Sequence, residues 1–430
     1  MEKIAFYFRK NVLAKGDFAL YYRFASYFAE HFDCSVYCVN NSFPELQKGY
    51  LDKGIKFCDI DENTKKELEG ATFVTAFNQV FFMLDEIKDV KNAKVALLFL
   101  HPQIVNWLLN QVSPKKFRLD EFMKLLCENN AYGFMDKSNY IAAKKFSDEK
   151  FEERYFPVSV AELEERKFLP YVDDGSYNFA WMGRMDRDKI FSVSNFLDNL
   201  SEVNADKPIN FHMVGDGNAK REAKAENYFP KIRLFYTSYL YGEECHDYLR
   251  NNADVVIAMG ISALDVAALG IPTIIPIVSP KKFRADKYVW FYDVKGYSLG
   301  WNEEDFKELG CPSYTSEQVF DEIYGQGGKE TLGKKCYEFV KENFSVEKNA
   351  QSVFDLIRSS ELTVEKLLSC KSVKSQLRQY KLFKILKKDA EYADFVTIRE
   401  KIKKFRAKSF GGKVKTVLKR LGRAGGRRNK

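Results

Sequence analysis

The sequence lacks any C-x2-C pair. Its eight cysteines are scattered, and the nearest two, Cys34 and Cys38, stand four positions apart. That spacing excludes a zinc ribbon and argues against a disulfide scaffold, so a reducing compartment is expected. Histidine is scarce, with His31, His101, His212 and His246 the only four in 430 residues, so no metal site is expected. The opening MEKIAFYFRK mixes charge into its apolar run and forms no secretory core. No uncharged apolar stretch reaches the roughly 18–20 residues of a membrane span. A G-x4-G-K-[ST] loop is absent, which excludes a P-loop. The composition, 45% hydrophobic and 30% charged, is that of a globular chain, and the expected location is the cytoplasm. The length suits two or three domains.

Acidic residues are missing from the last thirty positions, which carry thirteen Lys or Arg. Residues 361–430 as a whole are net +16, so the preceding 360 are net −8 beneath the overall +8. A mildly acidic body therefore carries a strongly basic end that seeks phosphate-rich surfaces. In KVKTVLKRLGR, Val414, Val417, Leu418 and Leu421 fall at i, i+3, i+4 and i+7, with Ile402, Phe405 and Phe410 upstream. That pattern fits a basic helix lying on an anionic membrane surface. A solvated basic terminus is the plainer reading. Nucleic acid is not expected as a partner, because only two aromatic residues are interleaved with these charges.

Along the chain, apolar runs at 4–8, 34–39, 55–60 and 94–100 read as strands, with a helical run at 18–32. The alternation restarts after LPYVDDGSY (169–177), a segment rich in turn residues. There 178–183, 209–215, 232–237, 254–260 and 271–278 read as strands and 188–200, 245–252 and 262–270 as helices. Strands alternating with helices predict parallel sheets with helical crossovers. The expected division is an N-terminal domain 1–168, a linker 169–177 and a C-terminal domain 178–342. A terminal helix 343–360 packs back on the body, and the basic tail 361–430 follows.

Three segments offer chemistry. VGDGNAK (214–220) follows a strand, but Lys220 stands where a dinucleotide turn needs its third glycine, so a nicotinamide site is not expected. GISALDVAALGIP (260–272) leaves a strand and opens a helix whose first N–H groups suit a diphosphate, with Ser262 as the expected cap. Ser262 and Asp265 also read simply as a capping box. In GRMDRDK (183–189), Arg184 and Lys189 are placed to neutralise a diphosphate leaving group. Asp186 and Asp188 between them read as partners in a salt-bridged loop.

The order of these segments resembles the C-terminal nucleotide-binding domain of the GT-B glycosyltransferases. It is strand–G-R-x4-K–helix, strand–VGDG, strand–short helix, then ADV-strand–G-x-S-A-L-D-x-A-A-L-G-I-P. It is closest to the large retaining family of glycogen synthase-like and bacterial polysaccharide enzymes, and the match spans about residues 178–280. The resemblance implies an α/β fold of two Rossmann-like parallel-sheet domains facing a cleft, plus the basic helical extension. It implies that Arg184 and Lys189 hold the donor diphosphate and that Asp265, matching the second Glu of E-x7-E, binds the ribose. The first Glu of that motif falls at Ile257, and retention or inversion at the anomeric carbon stays open.

Further donor contacts implied are Gly183, Gly215, Gly260, Ser262, Ala263 and Leu264. Tyr239 and Leu240 lie near the base, and Gly16 lies in the first strand–helix loop. His101 corresponds to a histidine near the reacting sugar, and equally reads as satisfying backbone groups beside Pro102. The implied activity is hexosyl transfer, without metal or cofactor, from a nucleotide-sugar to a glycan or lipid-linked acceptor of cell-surface polysaccharide. The protein would sit peripherally at the inner face of the membrane. The competing reading, motivated by Ile257, is a non-catalytic GT-B-like nucleotide-sugar-binding or partner subunit.

Overall fold

The computed structural model describes residues 1–9, 16–40, 47–112, 117–161, 163, 168, 170–217, 219, 229, 231–238, 240, 242–325 and 328–386. The chain divides into two compact units. The first comprises Met1–Phe134, Ala142–Arg154 and the chain from Phe354 on; the second comprises Met135–Ile141 and Tyr155–Val353. Residues 170–177 thus belong to the second unit.

The first unit is built on six parallel strands in the order β3-β2-β1-β4-β5-β6. They are β1 (Glu2–Tyr7), β2 (Cys34–Val39), β3 (Lys56–Cys58), β4 (Thr72–Ala76), β5 (Lys94–Phe99) and β6 (Tyr132–Phe134). The central strands are buried on both faces, which is why they read as continuous apolar runs. Helix Gly16–His31 covers the sheet with aromatic side chains, Phe8 and Tyr22 stacking at 5.2 Å and Phe6 and Tyr21 meeting at 5.4 Å. Two strands escape the sequence pattern. β4 carries Thr72 and Thr75, so its run is not uniformly apolar, although it lies at the sheet centre beside β1. β6 is three residues long and centred on Gly133, where a Cβ would stand 2.8 Å from a Leu356 methyl.

The second unit repeats the plan with the order β12-β11-β10-β7-β8-β9. Here β7 is Tyr177–Met182, β8 Ile209–Val214, β9 Ile232–Thr237, β10 Val255–Ala258 and β11 Thr273–Pro276. All five are parallel, and only the short edge strand β12 (Tyr288–Trp290) runs antiparallel, against β11. Its core holds Phe179, Trp181, Phe196, Phe211, Tyr288 and Trp290. Buried Asn195 and Asn199 pin the β11–β12 connection by donating to the Ala285 carbonyl and the Tyr288 hydroxyl.

The charge asymmetry starts before the fold ends. The helix expected at 343–360 runs Val346–Arg358, and the described residues beyond it are built into the first unit. Leu362, Val364, Leu367 and Val373 are fully buried, Leu362 O accepts from Val95 N, and Ser360 Oγ donates to Val95 O. Helix Lys371–Leu386 packs on helix Val80–Ile87. The stretch 401–430 lies outside the described residues. Among the described residues no helix is long and apolar enough to cross a membrane.

One buried carboxyl gives the second unit a pH dependence. Asp136 Oδ1 accepts from the backbone and side chain of Asn139 at the start of helix Lys137–Lys144. Burial raises its pKa to about 7; the Asn139 and Ser138 hydrogen bonds oppose the rise and the Asp305 charge adds to it. A carboxyl with a raised folded-state pKa contributes stability that is complete below its unfolded value near 4 and lost as pH rises through 7. Asparagine keeps the capping oxygen without the charge. Asp136→Asn is therefore expected to be more stable than wild type, by a margin that widens by about 2–3 kcal/mol between pH 5 and pH 8. Thermal unfolding at the two pH values reads this, and a margin independent of pH would contradict it.

Candidate functional site

In the second unit the chain moves from β7 outward through β8 and β9, then returns to place β10 on the other side of β7. Connections from neighbouring strands β7 and β10 therefore leave in opposite directions, and a crevice opens at the carboxyl ends where they part. The strand ends are level: Ala258 pairs with Met182, Met182 with Val214, and Val214 with Thr237. Arg184, Gly215, Ser238 and Gly260, each one or two residues past these ends, thus line one sheet edge. The topology brings together Gly183, Arg184, Lys189, Gly215, Leu240, Gly260 and Ser262 at this edge.

The glycines of VGDG have a local reason. Gly215 has φ +138°, and a Cβ on it would stand 2.1 Å from Gly183 O; one on Gly217 would stand 2.4 Å from Met185 C. The loops after β7 and β8 lie backbone against backbone. Gly183 N donates to Val214 O, Met185 N to Asp216 O, and Ala219 N to Met185 O. These glycines serve that close approach, in keeping with the absence of a dinucleotide fingerprint. Arg184 is consequently held between two anchored residues while its side chain stays exposed. Its Nη1 meets Asp186 Oδ2 at 2.6 Å, an exposed pair worth about 0–1 kcal/mol and easily exchanged for another anion. Lys189 lies in the first turn of helix Arg187–Glu202, half-buried.

The cap expected at Ser262 is not there. The N-cap of helix Ile261–Ala268 lies two residues earlier, at Gly260, with no side-chain cap hydrogen bond. Gly260 adopts φ 62°, ψ −141°, a conformation open essentially to glycine alone, while a Cβ there would meet nothing within 4 Å. The strand exit therefore needs glycine for its backbone angle rather than for room. Ala263 N and Leu264 N already donate to Gly260 O, and both side chains are buried. The helix N–H groups left to a ligand are those of Ile261 and Ser262, two positions ahead of the Ala263 and Leu264 that a Ser262 cap implies. That shift also dissolves the Ser262–Asp265 capping box.

Asp265 lies one turn further on, half-buried. Its charge, after burial, raises the pKa of the buried Cys245 thiol, which places the carboxylate toward helix Gly242–Asn252 beyond β9. Leu240 precedes that helix and is half-buried; Tyr239 lies outside the described residues. Ile257 is wholly buried inside β10, in register with Trp181 and Ile274. A carboxylate at 257 would be buried in the core, so the missing first acid marks a core position in this chain and not an emptied place in the site.

Gly16 and His101 belong to the first unit. Gly16 opens helix Gly16–His31, and residues 10–15 before it lie outside the described residues. His101 follows β5 at the carboxyl edge of the first sheet, exposed, and its Nδ1 accepts from the Gln103 backbone N–H at 3.0 Å. In the neutral ring the proton then sits on Nε2, which makes His101 a donor and leaves its basic lone pair engaged. Sequence reasoning missed Ile261 and Trp107, whose ring stacks on His101 at 4.3 Å. Among the described residues no three His, Cys, Asp or Glu side chains group as metal ligands would.

No protein-family model matches the sequence, and no curated protein does. Similar chains are found among solved structures. A lipopolysaccharide outer core galactosyltransferase, WaaB, is 11% identical, with a TM-score of 0.49 over 83% of this chain and 99% of that one. An alpha-glucosyltransferase in complex with UDP is 13% identical, with a TM-score of 0.43 over 83% and 100% of the two chains. WaaG, described as a glycosyltransferase involved in lipopolysaccharide biosynthesis, is 10% identical, with a TM-score of 0.38 over 82% and 99%.

Proposed function

We propose that the protein is a glycosyltransferase that takes a nucleotide-diphosphate sugar at the β7/β10 crevice and passes the sugar to a glycan or lipid-linked acceptor. The observation that carries this reading is one sheet edge holding Arg184, Lys189 and the uncapped start of helix Ile261–Ala268 on two sides of a topological switch. Breaking the donor's anomeric bond puts negative charge on the departing diphosphate. Two cations and a helix N-terminus fixed in advance stabilise that charge without a metal ion. Asp265 accepts from the ribose hydroxyls and Leu240 packs against the base. The glycine-locked loop 183–185 keeps the arginine from reorganising as charge develops. The basic segment 401–430 holds the enzyme to an anionic membrane surface, where lipid-linked acceptors reside.

The test is turnover. Incubation with a panel of uridine, guanosine, adenosine and thymidine diphosphate sugars is expected to release nucleoside diphosphate from one base class, with and without EDTA. Release from none, with binding retained, assigns the chain to the non-catalytic reading. Release only when a divalent metal is supplied contradicts the charge-neutralisation argument.

A further inference from the structure

The chain is 30% charged, yet residues 95–114 contain no Asp, Glu, Lys or Arg. Burial explains this for β5, but not for residues 101–112, which alternate between buried and exposed positions at the surface. What that surface offers instead is amides and an indole. Gln103, Trp107 and Asn110 are exposed, and Asn106 Nδ2 donates to Gln103 Oε1 at 2.8 Å. Trp107 is 39% exposed, while Trp181, Trp290 and Trp301 are buried. One face of its ring is covered by His101, 26° from parallel, so the indole is fixed in place and not merely stranded in solvent. Helix Ile104–Gln111, which carries it, packs on the Phe77–Gln79 turn at the end of β4. The platform therefore stands at the carboxyl edge of the first sheet, beside the β1/β4 switch point.

We propose that His101 and Trp107 form a binding platform for a neutral pyranose ring. The C–H face of a sugar carries slight positive charge and suits the negative face of an indole, for the same reason that aromatic faces attract cations. Equatorial hydroxyls need donors and acceptors of no net charge, which the side-chain amides of Gln103, Asn106 and Asn110 supply. A charged rim would have to be desolvated to do the same. The inference rests on the glycosyltransferase reading only in calling that ring part of the acceptor. It makes His101 a positioning residue rather than a general base.

Because the other three tryptophans are buried, iodide-quenchable emission reports Trp107. Maltotriose and chitotriose are added to the protein with no nucleotide present, so the result stands apart from donor turnover. At least one of them is expected to halve the quenching constant and shift the emission to the blue. Saturation-transfer NMR on the effective saccharide is expected to show the contact, with affinity reduced at least tenfold in Trp107→Ala and largely kept in Trp107→Phe. Quenching unchanged by both saccharides overturns the proposal. So does NMR contact of wild-type strength in a folded Trp107→Ala. Shielding by phosphatidylcholine vesicles but by neither saccharide also overturns it and assigns the surface to a membrane.

Discussion

Arg184→Ala and Lys189→Ala are each expected to lower kcat/KM for nucleotide-sugar turnover by about 100–1,000-fold, the loss usual when one preorganised donor is removed from developing negative charge. For Arg184→Ala the expected thermal unfolding curve is unchanged, because Arg184 is exposed and its ion pair with Asp186 contributes little. The two variants separate the roles: Arg184 projects from a loop hydrogen-bonded on both sides, whereas Lys189 is carried by the first turn of a helix. Arg184→Lys keeps the charge but loses the planar fork, so partial recovery is expected from it. Full activity in both alanine variants would remove the diphosphate from this sheet edge.

The second large effect lies at the opposite end of the same strands and concerns stability alone. Asp254, just before β10, is 4% exposed and accepts three hydrogen bonds. Lys329 Nζ donates at 2.7 Å, the Tyr324 hydroxyl at 3.0 Å and Asn178 N at 3.1 Å. Burial, then the Asp254 charge, pushes the Tyr324 phenol well above its ordinary range, so it stays a donor. Asp254→Ala strands the Lys329 ammonium and the Tyr324 hydroxyl proton, while Asn178 N keeps the Tyr324 oxygen as an acceptor at 3.0 Å. Removing one partner of such a pair costs about 3–5 kcal/mol. A loss of that size lowers the melting temperature of a unit this large by about 10 °C. Pairing Asp254→Asn with Lys329→Met is expected to recover part of it, since no charge is then left buried. A fall under 2 °C in Asp254→Ala would show that water reaches the pair.

The contrast between these two edges explains what was legible in the sequence. β7, β8, β10 and β11 are buried on both faces, so each reads as an apolar run ended by glycine or proline. The residues that follow such a run are then placed at the carboxyl edge with no further information. β4 was illegible because its threonines break the apolar run, although Thr75 is satisfied inside the core by donating Oγ1 across the sheet to Tyr7 O of β1 at 3.4 Å. The cap of helix Ile261–Ala268 was misplaced by two residues for a related reason. A serine followed three positions later by an aspartate looks like a cap, but a glycine in a conformation open to it alone ends the strand first. Side-chain chemistry is visible in a sequence, and backbone angle is not. The joining of 360–377 to the first unit was hidden by averaging it with the basic residues that follow: the segment itself has three lysines against two glutamates, and Leu362, Val364, Leu367 and Val373 do the packing.

His101 shows the same limit in the site. Its position after β5 was readable, but its tautomer is fixed by a hydrogen bond from Gln103 and its orientation by Trp107. Neither has a local sequence signature, although the uncharged run around Trp107 does.

A nucleoside diphosphate is expected to bind at the β7/β10 edge, and calorimetric titration tests that most directly. Wild type, Arg184→Ala, Lys189→Ala and Asp254→Asn are titrated in EDTA with the diphosphate of each base. Wild type is expected to bind one of them, and at 100 times the dissociation constant that ligand adds about 2.7 kcal/mol of stability. Both variants are expected to weaken it at least tenfold, while Asp254→Asn, at the far edge, binds as wild type does. Heat of binding for none of the diphosphates, or equal affinity in all four proteins, would contradict the account.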